Sequence, residues 1–431
     1  MSKIGVRREV LREERRAPLA PEHMARLHGA GVDVTVQRST QRIFDDSEFE
    51  RAGAQLADTL EACPLIIGLK EVPADRLFEN KVHAFFSHTI KGQPKNMPML
   101  LHLMERGCTL IDYEKITDDA GRRLVFFGLY AGIAGMIDTL WALGRRLEHE
   151  GVNSPLSKLR SGHEYATIEE ATADIERVGA ELWKTALPER FTPLVIGVTG
   201  NGNAAQGALR VLARLGARSL HPSTIGQLPG GPGVYQVNFR TRDLVEPRLG
   251  LPDLSDFDQD EYFRRPGRYR GVFERFLPYL NVLVNCIYWD DRYPRLVTLE
   301  GLRALFDDPR PPRLTVIGDI SCDVRGAIEA TVRSTTPDSP VYVYDIETGA
   351  APSGVEGRGP VILAVYNLPS EFPREASVAF GDALLPFIEP MASADYSTTF
   401  EKLALPDPLR RAVIVYRGEL TPAFAYLEEH L

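Results

Sequence analysis

The chain has 431 residues, 44% of them hydrophobic and 25% charged, with 50 Lys+Arg against 59 Asp+Glu for a formal charge of -9. That composition fits a folded globular protein of two or three domains and excludes disordered, collagen-like and coiled-coil chains. The acidic balance offers no global field for nucleic acid, and no uninterrupted apolar run reaches the ~18–20 residues that cross a bilayer.

At the N-terminus Arg7, Arg8, Arg12, Arg15 and Arg16 are interrupted by Glu9, Glu13 and Glu14, so neither a transit nor a signal peptide is expected. Four cysteines (Cys63, Cys108, Cys286, Cys322) form no C-x-x-C and no Cys/His cluster. This speaks against a metal site and a disulfide scaffold, and for a reducing, cytoplasmic setting. Pro21 to Gly29 reads as a helix stopped at Gly31. Val32 to Val36 alternates as a half-buried strand does. Leu65 to Leu69 and Val82 to Phe86 are short apolar runs suited to buried parallel strands. A helix over 96–105 and a strand at Thr109 to Asp112 complete an α/β pattern.

From Phe126 to Leu147 the chain is apolar, and Gly128, Gly132 and Gly135 fall on one helical face, where another backbone could approach closely. Thr167 with Glu170 is a capping-box signature for a helix reaching Trp183. A second α/β pattern begins at Leu194, with a strand to Val198, a glycine-rich turn over 200–207 and a helix to Leu215. Further strands are expected at Val282 to Ile287, Leu314 to Ile317, Val341 to Val343 and Val361 to Val365. The stretch 228–268 reads as an insertion with its own short strand, Val234 to Phe239. A helix from about Arg374 to Phe387 is followed by a polar tail, read as helical.

Three places look chemical. Gly200-Asn201-Gly202-Asn203-Ala204-Ala205 follows a strand and opens a helix, fitting G-x-G-x-x-A. There the first glycine permits the turn, the second admits a pyrophosphate, and the small third residue lets helix pack on strand. No carboxylate stands on the following strand end, where Arg218 and Ser219 suit the 2′-phosphate of NADP; NAD stays open. In the first half, Lys70 and Glu71 end one apolar strand, His88 ends the next, and Arg16 precedes a proline-marked helix. Parallel sheets bind ligands outside such strand ends. A strand-end Lys–Glu pair is more often a solvated turn, and a lone histidine more often structural.

The chain resembles the lysine-forming saccharopine dehydrogenases, and most closely the lysine–ketoglutarate reductase half of the bifunctional animal and plant enzymes; it is more distantly similar to alanine dehydrogenase and the transhydrogenase nucleotide-binding subunit. The motifs that carry this are Glu14 to Pro21, Gly68 to Glu71, Phe85 to Lys91, Leu110 to Glu114, Tyr130 to Met136, Thr199 to Asn203, Val284 to Trp289, Gly318 to Asp323 and Pro369 to Ser377. The resemblance implies reduction by NAD(P)H of the imine of L-lysine and 2-oxoglutarate, reversibly, to saccharopine. It implies that Lys70 and His88 are the acid–base pair with Glu71 beside them. Arg16 is then the receiver of a substrate carboxylate, Glu114 an acid of the pocket and Lys91 a further substrate neighbour. The cofactor neighbours are Gly200 to Ala204, Arg218, Ser219, Cys286, Ile287 and Asp319. It also implies two Rossmann-like domains with mostly parallel sheets and the active site in the cleft between them. The expected division is 1–126 plus 375–431 for substrate, and 127–374 for nucleotide.

Tyr366 departs from the family pattern, standing where relatives carry an aspartate, so the amine substrate here can differ from lysine. Cys286 has no cysteine in the glycine loop to pair with. The saccharopine-cleaving half of the bifunctional enzymes is not part of this sequence, so coupling to it would need a separate chain. A related amine–oxoacid reductase, or an alanine-dehydrogenase-like enzyme, is the alternative activity; a nucleotide sensor without turnover is the non-enzymatic one. Oligomeric state stays open.

Overall fold

The computed structural model describes residues 2–228, 230–248, 250 and 256–431. The chain divides into two compact units, 1–127 with 373–431 and 128–372.

In the first unit the elements run β1 (Ser2–Val6), α1 (Met24–Gly29), β2 (Val32–Gln37), α2 (Asp46–Arg51), β3 (Gln55–Ala57), β4 (Leu65–Ile67), β5 (Val82–Phe85), α3 (Met97–Glu105) and β6 (Thr109–Asp112). The six strands lie parallel in the order β6-β5-β4-β1-β2-β3. The chain therefore moves outward from β1 on one side, returns to β4, and moves outward on the other. Such a reversal opens a crevice at the carboxyl ends of the strands. Every residue of β4 and β5 is buried, which is why they read as unbroken apolar runs. His83 is the exception in kind: burial drives its imidazole down to about 4, and its Nε2 lies 3.2 Å from the Phe78 carbonyl. Two strands have no clear mark in the sequence. β1 carries Lys3 and Gly5 and runs straight into the arginines, and β3 is a three-residue, partly exposed edge.

The second unit contains α4 (Gly128–His149), α5 (Ile168–Leu182), β7 (Leu194–Thr199), α6 (Asn203–Arg214), β8 (Arg218–Leu220), β9 (Val234–Phe239), α7 (Thr241–Leu244), β10 (Val245–Pro247), α8 (Gln259–Arg264), β11 (Tyr269–Gly271), β12 (Val282–Asn285), α9 (Leu299–Phe306), β13 (Val316–Asp319), β14 (Val341–Val343) and β15 (Val361–Leu363). Its seven-stranded sheet has the order β14-β15-β13-β12-β7-β9-β8, parallel except for the edge strand β14. Thr167 caps α5 as its sequence predicts, its hydroxyl accepting from the Glu170 amide at 3.2 Å. The glycine-rich turn is shorter than expected, because the helix already begins at Asn203.

The insertion expected over 228–268 needs correction. Val234 to Phe239 is β9, a strand of the main sheet paired to β7 over six residues. Among the described residues, β10, β11 and α8 form a separate piece, a short antiparallel pair with a short helix. Pro229, Leu249 and 251–255 of that stretch lie outside the described residues.

After the second unit the chain returns through α10 (Pro373–Ser393) and α11 (Asp407–Arg410) to β16 (Val413–Tyr416) and β17 (Glu419–Leu420). β16 pairs antiparallel with β6 and with β17, and the two strands extend the first sheet to eight. The tail read as helical thus contributes a buried strand, Val413-Ile414-Val415-Tyr416, followed by 3-10 turns over Pro422–His430.

Candidate active site

In the first unit Lys70 and Glu71 follow the carboxyl end of β4, His88 and Lys91 that of β5 and Glu114 that of β6, while Arg16 lies between β1 and α1. β4 ends into Gly68-Leu69-Lys70-Glu71. Gly68 is dictated by packing, since a Cβ there would stand 2.1 Å from the Arg7 guanidinium. That arginine donates to the Lys70 carbonyl and to Glu9. The Glu9 carboxylate accepts from the amides of Leu69 at 2.8 Å and Lys70 at 3.1 Å. The turn that carries Lys70 is thus clamped by two charged residues leaving β1.

β5 ends into Phe86-Ser87-His88-Thr89. His88 has φ +51°, a backbone conformation non-glycine residues enter at a cost. The surroundings hold it there. Asn96 donates to the His88 carbonyl at 3.0 Å. The buried Asp112, at the end of β6, accepts from the Ser87 amide and hydroxyl with one oxygen, and from the Glu114 amide with the other. Phe86 stacks on the imidazole with the rings 15° from parallel.

The imidazole Nδ1 lies 3.0 Å from Glu71 Oε2. Burial opposes ionisation of Glu71, but the hydrogen bond and charge of His88, its own amide and the charge of Lys70 prevail and bring it down to about 2. Glu71 is therefore a fixed negative charge at any working pH. Lys95 approaches its other oxygen at 3.7 Å. The ammonium of Lys70 is pushed below the usual lysine range, first by burial and then by the Arg16 charge, against the pull of Glu14, Glu71 and Glu9.

Arg16 is 2% exposed, and its Nε–Nη2 edge is bidentate on Glu14 at 2.7 and 2.6 Å. Its plane lies 4.2 Å from the Phe127 ring centroid. The guanidinium expected to meet a substrate carboxylate already has a carboxylate on that edge. Glu114 is ion-paired with Arg123, and Lys91 is exposed.

In the second unit the loop between β7 and α6 is built for close approach. Gly200 has φ +91°, and a Cβ there would press on the Cys286 carbonyl at 3.2 Å. At Gly202 a Cβ would meet nothing within 4 Å, so the space beside that backbone is open. Gly207 and Gly132 let α6 and α4 touch: a Cβ on Gly132 would fall 1.9 Å from the Ala204 carbonyl oxygen. The close approach predicted from the glycine face of α4 is therefore real at Gly132, while Gly135 faces the side chains of Ile320 and Leu368.

Asp319 does not line this loop's surface. It is 1% exposed, accepting from Asn285 at 2.9 Å, Thr331 at 2.6 Å and the Cys322 amide at 3.3 Å. Asn285 in turn accepts from the Thr199 hydroxyl, which accepts from the Cys286 amide. A buried polar chain thus ties together the ends of β7, β12 and β13, and Asp319 supports the loops from beneath. Burial lifts its carboxyl to about 6. Cys286 and Ile287 directly follow β12, and all four cysteines are free thiols. Tyr366, 43% exposed, lies just beyond β15. Ser219 accepts from Gln236 at 3.0 Å, whereas Arg218 lies 4.3 Å over the Trp183 ring.

Arg7, Glu9, Glu14, Asp112, Asn285 and Thr331 are absent from the residues singled out by sequence. All six are buried polar or charged side chains, and the sequence does not show that burial.

Two mostly parallel α/β sheets, one with a glycine loop and the other with a Lys–Glu–His cluster at its strand ends, define a fold of two Rossmann-like units. The family models for "Alanine dehydrogenase/PNT", N-terminal and C-terminal domains, match residues 5–134 and 291–423. Solved structures with this fold include an L-alanine dehydrogenase, TM-score 0.64 at 18% identity over 99% of both chains. Another is the transhydrogenase of Sinorhizobium meliloti, TM-score 0.58 at 16% identity, covering 98% of this chain and 100% of that one. Among named relatives, the Neurospora crassa "Saccharopine dehydrogenase [NAD(+), L-lysine-forming]" is 30% identical over 89% of each chain. The "Alpha-aminoadipic semialdehyde synthase" of Arabidopsis thaliana is 36% identical over 98% of this chain, and that of Mus musculus 35% over 99%. The chain spans 41% and 47% of the length of those two relatives. The chain belongs to the family of the L-lysine-forming saccharopine dehydrogenases.

Proposed function

We propose that the protein is an oxidoreductase acting on CH–NH bonds, which joins L-lysine to 2-oxoglutarate and reduces the resulting imine to saccharopine, reversibly, with a nicotinamide dinucleotide. The observation that carries this reading is the Lys70–Glu71–His88 cluster after β4 and β5. A sensor of nucleotides has no need of an acid–base group so arranged.

The residues present fit the cofactor. Gly200 supplies the turn, Gly202 the open space, Ala204 and the start of α6 a place for the pyrophosphate, and Cys286 and Ile287 the neighbouring strand end. When bound, the reduced nicotinamide supplies the hydride. The remaining work belongs to side chains. The ε-amine of the substrate lysine arrives protonated and must lose that proton before its nitrogen can attack the ketone carbon. Lys70, lowered by burial and by Arg16, is the base suited to take it. Attack gives a carbinolamine, whose hydroxyl must leave as water. With Nδ1 held on Glu71, His88 has Nε2 to donate the proton that makes that hydroxyl a leaving group, so that C=N forms as C–O breaks. Glu71 keeps the ring oriented. Arg16, held on Glu14, tunes Lys70, and with Lys91 and Glu114 it is proposed as a neighbour of the substrate.

The test mixes lysine, 2-oxoglutarate and either NADPH or NADH with the protein, follows nicotinamide absorbance and identifies the product by mass. Lys70→Met and His88→Gln should each lower kcat at least a hundredfold while leaving nucleotide Kd unchanged. Absence of turnover with both nucleotides rejects the reading. Tyr366 supports a second reading, in which an amine other than lysine is preferred; a panel of amines against fixed 2-oxoglutarate separates the two.

A further inference from the structure

The strand order of the second unit moves the place where a dinucleotide's adenosine ribose is read. In the usual dinucleotide sheet the strand after the glycine-loop helix lies beside the glycine-loop strand, and its carboxyl end meets the ribose. Here that strand, β8, is displaced to the sheet edge, and β9 occupies the place beside β7. The two neighbours run in register to their ends, Thr199 opposite Phe239. Beyond them the Gly200 amide donates to the Phe239 carbonyl at 2.8 Å, and Asn238 Nδ2 donates to the Gly200 carbonyl at 2.8 Å. The residue that follows, Arg240, therefore emerges next to the glycine turn. β8 stops opposite Val237, two residues short of the end of β9.

A cavity of about 410 Å³ opens at this place, lined among others by Ser219, His221, Gln236, Arg240, Arg242 and Asp243. Both arginines are exposed, and among the described residues neither has an ion-pair partner. The one acid of the cavity, Asp243, is committed locally, its Oδ2 accepting from the Arg240 amide at 2.8 Å and capping α7. Arg218 is not part of the lining and is stacked on Trp183.

We propose that Arg240 and Arg242, with Ser219 and His221 beside them, receive the 2′-phosphate of NADP(H), so that the protein selects NADPH over NADH at the end of β9 and not through Arg218. The proposal rests on the dinucleotide reading given above and adds to it which nucleotide is used and which side chains choose. Two guanidinium groups offer a dianion charge-assisted, bidentate hydrogen bonds. A ribose diol would instead need a free carboxylate, and among the described residues the one carboxylate that lines the cavity is already bonded to backbone.

The experiment measures nucleotide affinity by fluorescence titration and calorimetry on the full chain, without substrate. NADPH is expected to bind at least tenfold more tightly than NADH. 2′,5′-ADP should displace NADPH at concentrations where 5′-AMP does not. The double variant Arg240→Ala/Arg242→Ala should bring the NADPH and NADH affinities to within a few-fold of each other by weakening NADPH alone, and Arg218→Ala should leave the preference intact. Equal affinities in the unmodified protein, a preference that survives the double variant, or one lost with Arg218→Ala each overturn the assignment while leaving the reductase reading standing. Failure of both nucleotides to bind overturns the two together.

Discussion

Replacing Gly132 by alanine sets two known effects against each other. Alanine in a helix interior is favoured over glycine by about 1 kcal/mol, so an isolated α4 would gain. In the folded unit the new Cβ would fall 1.9 Å from the Ala204 carbonyl oxygen and 2.9 Å from the Ala208 amide nitrogen. These are backbone atoms of α6 with no rotamer to yield, so the two helices must separate by about an ångström. Overpacking of this kind costs ~1–3 kcal/mol, and a backbone clash belongs at the upper end. The net loss is then about 2 kcal/mol, or a fall in Tm of ~4–8 °C for a unit of this size. Because Ala204 lies in the first turn of α6, the same displacement should weaken nucleotide binding. Gly202→Ala is the matched control. Its φ is -75° and its Cβ meets nothing, so stability should be unchanged while nucleotide affinity falls, since the added methyl fills space that the pyrophosphate needs. Thermal unfolding and nucleotide titration of both variants provide the assay. A Gly132→Ala protein as stable as the parent, or more so, would refute the close helix approach.

Gly68→Ala should displace the Arg7 guanidinium from the Lys70 carbonyl and strain its buried pair with Glu9; kcat is expected to fall about tenfold or more and Tm to fall with it, as steady-state kinetics and calorimetry would show. Glu71→Gln removes a charge that stays ionised down to about pH 2, and should lower kcat by one to two orders of magnitude while leaving nucleotide Kd unchanged. A variant as active as the parent would strip Glu71 of its part in the chemistry. Asp319 yields a pH prediction. Its carboxyl is held up at about 6 against an ordinary 3.8, so the folded chain keeps this proton more firmly than the unfolded one. The associated stability is fully present below pH 3.8 and is lost as the pH rises through about 6, a difference on the order of 3 kcal/mol. Urea unfolding from pH 4 to 7.5 should show that slope in the parent and a flatter profile in Asp319→Asn; identical profiles would mean that the carboxylate is hydrated.

Much of this protein is legible locally. A buried parallel strand must be apolar on both faces, so Leu65 to Ile67, Val82 to Phe85 and Leu194 to Thr199 announce themselves, and the polar residues that end such runs, Lys70, Glu71 and His88, stand out against them. The turn at Gly200 is legible because only glycine enters that conformation readily, and the cap at Thr167 because it uses neighbours within one turn. Lateral order is different. Whether β8 or β9 lies beside β7 depends on which strand buries its faces best against helices distant in sequence, and no period or spacing reports it; Arg218 and Arg240 look alike until the sheet is assembled. The same holds for the partners beneath the site. Arg7, Glu9 and Glu14 read as parts of one mixed-charge tract and Asp112 as a strand end, because a charge is recognised as structural only when its burial and its partner are both known. Composition and pattern thus determined the elements, the glycine loop and the chemical types at the strand ends. Tertiary packing alone decided which of those groups neutralise one another and which strand stands beside the glycine-loop strand.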